Sequence, residues 1–324
     1  MALDLRIRLL QWLATRSGRV FRPALTTAQY RAGYAAAMRD AGPRTRACVD
    51  ARDVRIPTDA GEIGARLYRP AALPDRQAPL LVFFHGGGFV IGDVASYDGC
   101  ARFLAAEGAL LVLSVDYRLG PEHPFPRGYE DGFAAYAWSC ANAEELGADA
   151  RAIALGGDSA GGGIAASVGA YAVARGLPRP AYQYLIYPSV DARGEQPSRH
   201  DPSLGVFLNE AMMRWFGERY LLPNDDPADP LRSPLLAPTL AQSPPTYLLA
   251  AAYDPLVDEG RQYADRLRAE RVPVTYDLRP TLPHGLLNVA GVVPAARRAL
   301  RDGIRATGDA LRAQLAGVPS VSRS

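Results

Sequence analysis

Cysteine is scarce in this 324-residue chain, limited to Cys48, Cys100 and Cys140. An odd, widely spaced set builds no disulfide framework, and without a Cys-x-x-Cys pair it argues against a metal or redox centre. It suits a reducing compartment, so a cytoplasmic location is expected. Lysine is absent: all 36 basic residues are arginine, a feature from which no function follows. With 34 acidic residues the net charge is only +2, and no long block of one sign occurs. That removes the usual electrostatic footprint of nucleic-acid binding. Long apolar runs are missing too. Asp4, Arg6, Arg8 and Arg16 interrupt the N-terminus, and the glycine-rich stretch 152–174 carries Asp158 and begins as a strand. Neither reads as a signal peptide or an integral membrane span.

What remains is an ordinary globular composition, 48% hydrophobic and 22% charged, which excludes disordered and fibrous classes. A chain of this mass buries about three quarters of its unfolded surface, enough for one large core.

Apolar periodicity predicts two N-terminal helices. Leu3, Ile7, Leu10 and Leu13 share one face of the first, read as a packed amphipathic segment, with a membrane-touching basic surface as the rival reading. Thr26 or Thr27 caps a second helix running to about Asp40. From about Arg52 the pattern becomes short strands: 52–57, 62–69, 80–84, 110–115, 152–155, 182–187, 246–252 and 274–278. Helical stretches lie near 96–107, 128–146, 160–175, 257–271 and 293–315. Buried strands alternating with helices imply an α/β fold: a mostly parallel sheet of about eight strands, covered on both faces. Residues 191–245 break the rhythm with a helix near 209–221 and a proline-rich loop. The expected division is cap helices at 1–45, the catalytic α/β part at 46–190, a cap insertion at 191–245, the second catalytic part at 246–316, and a frayed tail at 317–324.

Gly157-Asp158-Ser159-Ala160-Gly161 sits between a predicted strand and a predicted helix. This is the strand–turn–helix context of a nucleophile elbow. The serine must stand on a sharp turn with its hydroxyl above the sheet, and side chains at the flanking glycines would collide with strand and helix. A serine hydroxyl needs a base. Of the four histidines, His85 and His123 precede Ser159, and in this fold type the order is Ser, acid, His. His200 lies in a polar insertion and reads as a solvated loop residue, whereas His284 follows a late strand and is the expected base. Asp254, just past the strand at 246–252, is the expected orienter of its imidazole. Asp258 and Glu259, one turn further on, read as helix N-terminal charges. His85-Gly86-Gly87-Gly88 follows a strand and matches the HGGG-type oxyanion loop. The expected donors are the N–H groups of Gly86, Gly87 and Ala160, with His85 holding the loop by hydrogen bonding.

HGGGFVIGD at 85–93, DYRLGPEHPFP at 116–126, GDSAGG at 157–162, SPLLA at 233–237 and DPLVDEG at 254–260 together resemble the hormone-sensitive-lipase-like esterases, the HGGG group of α/β hydrolases. The resemblance covers about residues 50–290. It implies an α/β-hydrolase fold with a helical cap, a carboxylesterase acting on small ester substrates, and a triad of Ser159, Asp254 and His284. It implies no metal and no organic cofactor, and a homodimer is compatible with it. Gly120, Gly163 and Leu286 depart from common Ala, Asn and Phe without removing a catalytic group. Asp116, Arg118 and Glu122 are expected to form buried ion pairs beneath the HGGG loop. Short and medium acyl chains suit a capped pocket. The rivals are an amide or N-acetyl hydrolase using the same triad, and a ligand-binding protein on this scaffold, as in gibberellin receptors, which lack the catalytic histidine.

Overall fold

The computed structural model describes residues 2–16, 24–74 and 76–317. Eight strands form one sheet: β1 (Val49–Thr58), β2 (Gly61–Pro70), β3 (Ala78–Phe84), β4 (Leu111–Asp116), β5 (Ala148–Asp158), β6 (Tyr182–Ile186), β7 (Thr246–Tyr253) and β8 (Val274–Pro283). Their spatial order is β1-β2-β4-β3-β5-β6-β7-β8. β1 and β2 pair antiparallel, as do β2 and β4, and every later pairing is parallel. This is the fold expected from the sequence.

Strand periodicity divides the core. Leu80, Val82 and Phe84 of β3 point into one apolar layer, and Leu81 and Phe83 into the other. The first layer is completed by Phe133 of α4 (Arg127–Ala141), Ile164 of α6 (Ala160–Tyr171) and Tyr263 of α8 (Val257–Ala269). The second is completed by Phe103 of α3 (Asp98–Gly108) and Leu300 and Ile304 of α9 (Pro294–Leu315). Because helices cover both faces, β3 is buried at all seven positions and reads as a continuous apolar run.

Some boundaries differ from the sequence reading. The helix expected over 128–146 is two elements: α4 ends at Ala141, where the Asn142 side chain donates to the Trp138 carbonyl, and a short α5 (Ala143–Leu146) follows. Asn competes for backbone groups in this way and so breaks helices. The helix expected to reach residue 175 ends at Tyr171 and tightens into a 3-10 turn before Gly176. β8 runs on to Pro283 despite Pro280. It lies at the sheet edge, where a missing N–H costs no ladder bond.

At the N-terminus, α1 (Leu5–Arg16) buries Ile7, with Leu3 and Leu10 packed beside the second layer, while Leu13 remains exposed. α2 (Thr27–Ala41) opens with a capping box in which Thr26 and Gln29 satisfy each other's backbone donors. Between β6 and β7 the chain leaves the sheet through four 3-10 turns and α7 (Glu210–Tyr220). The expected tail beyond Gly317 lies outside the described residues. Among the described residues, no helix is long and apolar enough to cross a membrane.

Candidate active site

β5 ends at Asp158 and α6 begins at Ala160, leaving Ser159 alone in the turn with φ 54° and ψ −118°. A non-glycine residue rarely takes this backbone conformation. Hydrogen bonds on both sides hold it: the Ser159 N–H donates to Ile186 (2.9 Å), and the Ser189 and Gly163 N–H groups donate to the Ser159 carbonyl (both 3.0 Å). A Cβ at Gly161 would overlap the carbonyl oxygens of Phe84 and His85, and one at Gly157 would overlap Gly161. The glycines are therefore set by the close approach of α6 to β3, as the elbow reading requires.

The structure brings Ser159, His284 and Asp254 together. Asp254 follows β7 and His284 follows β8, neighbouring strands, so both side chains emerge at the same sheet end as the elbow. His284 Nδ1 lies 2.9 Å from Asp254 Oδ2, and His284 Nε2 lies 3.0 Å from Ser159 Oγ. The carboxylate can only accept, so Nδ1 carries the proton and Nε2 accepts from the serine hydroxyl. Asp254 is buried and its other oxygen accepts the Leu256 N–H at 2.8 Å. The Tyr187 ring packs against the imidazole at 4.6 Å. His200 is exposed on the insertion, its Nε2 2.9 Å from the Gly194 carbonyl.

The oxyanion loop requires one correction. The expected donor Gly86 is already engaged: its N–H donates to Asp158 Oδ1 at 2.7 Å and lies 3.1 Å from the Tyr97 hydroxyl. Gly87 and Gly88, with φ of 115° and 59°, line the cavity above Ser159, as does Ala160. Among the described residues, no acceptor is found for these three N–H groups. Left-handed φ at two successive glycines is what turns them toward the cavity.

His85 is fully buried beneath this loop. Its Nδ1 lies 2.8 Å from the Gly86 carbonyl, its ring stacks on Tyr117 at 4.5 Å, and its own carbonyl accepts the Tyr117 hydroxyl at 2.7 Å. Burial pushes its pKa down, so it stays neutral. The ion pairs expected nearby are arranged differently. Arg118 pairs with the fully buried Asp131 at 2.7 Å. Glu122 instead meets Arg31 of α2 at the surface, and the side chain of the exposed Asp116 makes, among the described residues, a long contact of 3.4 Å with the Val94 N–H.

Three polar residues are buried in a way the sequence did not show. Asp158 is buried, accepts from Gly86 and from the Tyr97 hydroxyl at 3.2 Å, and burial pushes its pKa up to about 6. Asp131 carried no motif signal beyond its place in a helix. Glu259 lies in the first turn of α8, as read from the sequence, but it is fully buried there and accepts the Val190 N–H at 2.8 Å and the Asp191 N–H at 3.3 Å. Burial pushes its pKa up to about 7.

Ser159 and His284 open into a cavity of about 880 Å³. Tyr30 and Ala37 of α2 and Phe207, Met212 and Phe216 of the insertion form walls, so both expected cap segments reach it. No group of three or more His, Cys, Asp or Glu residues arranged to hold a metal occurs among the described residues.

Residues 81–288 match the family described as the alpha/beta hydrolase fold. The esterase LipI of Mycobacterium tuberculosis is 43% identical over 257 residues, covering 78% of this chain and 79% of that protein. The carboxylic ester hydrolase LipN of the same organism is 42% identical, covering 77% of this chain and 68% of its own length. Among solved structures, the hyperthermophilic esterase of the archaeon Pyrobaculum calidifontis superposes with a TM-score of 0.87 at 35% identity, covering 95% of this chain and 99% of its own.

Proposed function

The chain belongs to the α/β-hydrolase-fold family, among its hormone-sensitive-lipase-like carboxylesterases, and within it we propose that Ser159, His284 and Asp254 hydrolyse short- to medium-chain carboxylic esters. The observation that carries this reading is the continuous relay from Ser159 Oγ through His284 to Asp254 at the floor of one cavity.

His284 takes the proton of Ser159 as Oγ attacks the ester carbonyl. The carbonyl oxygen becomes an oxyanion, which the N–H groups of Gly87, Gly88 and Ala160 receive. Removing one such donor from an oxyanion hole costs about 3–4 kcal/mol of transition-state stabilisation. Asp254 holds the imidazole tautomer and stabilises the imidazolium. His284 then protonates the leaving alkoxide, and water, deprotonated by the same imidazole, releases the acid from Ser159.

α1, α2 and the insertion 191–245 act as the cap, and the aromatic wall they supply supports a confined acyl site. The three free cysteines support residence in the cytoplasm, and a homodimer belongs to this reading by resemblance alone. The test is a p-nitrophenyl ester series from acetate to palmitate on purified protein. The expected kcat/KM peaks at short or medium chains and collapses for palmitate; a maximum at palmitate would overturn the acyl assignment.

A further inference from the structure

Among the charged residues that line the cavity outside the triad, Arg232 stands apart. Arg232 lies between α7 and β7, is partly buried, and lines the same cavity as Ser159. Among the described residues, its guanidinium has no carboxylate within 4.0 Å and no hydrogen-bond acceptor. Its neighbours on the insertion side are provided for. Arg193 pairs with Asp191 at 2.9 Å, Arg266 donates to the Leu235 and Ala237 carbonyls, and Arg199 reaches the Asp191 carbonyl at 3.2 Å. Arg199 lines the cavity too and adds positive charge beside Arg232. Its nearest carboxylate, Glu259 at 3.9 Å, is pushed up to about 7 by burial and so carries only part of a charge near neutral pH.

A guanidinium withdrawn from water without a partner is costly, and the fork of N–H donors it presents matches a carboxylate bidentately. The same wall carries Tyr220, whose hydroxyl is buried without a partner. An apolar acyl chain would leave all of these donors unmet. We propose that Arg232 is a specificity residue that binds a carboxylate carried elsewhere on the ester, so that the enzyme prefers monoesters of short dicarboxylic acids or acylated hydroxy acids. This rests on the esterase reading of the same cavity.

The test compares kcat/KM for monoethyl esters of succinate, glutarate and adipate, and for O-acetyl hydroxy acids, with that for the matched uncharged diesters. A charge-assisted hydrogen-bonded contact predicts a charged-to-neutral preference of about ten- to a hundredfold for at least one member, expressed in KM. In Arg232→Met that ratio should fall toward one, in Arg232→Lys it should be partly kept, and added NaCl should lower it in wild type. Free glutarate should inhibit hydrolysis of the neutral ester competitively in wild type, with a weaker effect in Arg232→Met. Wild-type ratios at or below one for every charged ester, or a preference untouched in Arg232→Met, overturn the proposal. Hydrolysis of the neutral diesters in either case leaves the esterase reading standing, whereas failure on all esters would remove that reading first.

Discussion

Asp158 offers a quantitative test of how the oxyanion loop is held. Its carboxylate is fully buried, accepts the Gly86 N–H at 2.7 Å and the Tyr97 hydroxyl at 3.2 Å, and has its pKa raised to about 6. In the unfolded chain an aspartate titrates near 3.9. The folded protein therefore holds this proton more tightly than the unfolded chain. That contribution is fully present below about pH 4 and is lost as pH rises through about 6. Two pKa units correspond to about 3 kcal/mol, of which about 2 kcal/mol falls between pH 4.5 and pH 8. Asp158→Asn keeps the shape and an accepting oxygen but cannot ionise. Its stability relative to wild type should therefore improve by about 2 kcal/mol across that interval, whatever constant offset the weaker neutral hydrogen bonds impose. Urea unfolding at a series of pH values, extrapolated linearly, measures the difference. A difference that stays flat, or moves in favour of wild type as pH rises, would refute the burial argument.

Three further outcomes are expected. His284→Gln should lower kcat by about a millionfold, by comparison with triad removal in another serine hydrolase, while His200→Gln keeps the wild-type rate; the reverse pattern in steady-state assays would undo the base assignment. Gly161→Ala drives a Cβ into two backbone carbonyls of β3 and its following loop, so unfolding midpoints should drop by an amount at the upper end of the ~1–3 kcal/mol overpacking range. Deleting residues 1–40 removes α1 and nearly all of α2 from the cavity wall; kcat/KM on short esters should fall with the sheet still folded, and an unchanged acyl-length profile in a folded truncation would show that these helices do not shape the pocket.

The sheet was legible because its strands carry local signals, either unbroken apolar runs or alternation, and the elbow because a serine between two glycines at a strand–helix junction has few other uses. Chain order set aside His85 and His123, and His284 was separated from His200 because it follows a late strand while His200 lies in a polar insertion. The end of β8 was not legible, since Pro280 and Pro283 signal a break unless the strand is known to be at the edge. Gly86 could not be told from Gly88, because both are glycines in one run. What separates them is a carboxylate 72 residues away that takes the Gly86 N–H. Asp131 and Glu259 were hidden for a similar reason. Each looked like an ordinary helix acid, and only the three-dimensional packing buries it against Arg118 or against the backbone at Val190 and Asp191. Arg232 was invisible because an unpaired charge is defined by which acids fail to reach it.

The central claim is that Ser159 Oγ is the atom acylated during turnover. Reaction of the folded protein with a fluorophosphonate, followed by intact-mass and peptide mass spectrometry, addresses it directly. One adduct per chain is expected, on the peptide containing Ser159, with its formation and ester hydrolysis lost together in Ser159→Ala. Labelling at another residue, or ester hydrolysis retained by a contaminant-free Ser159→Ala preparation at a tenth of the wild-type rate, would contradict it.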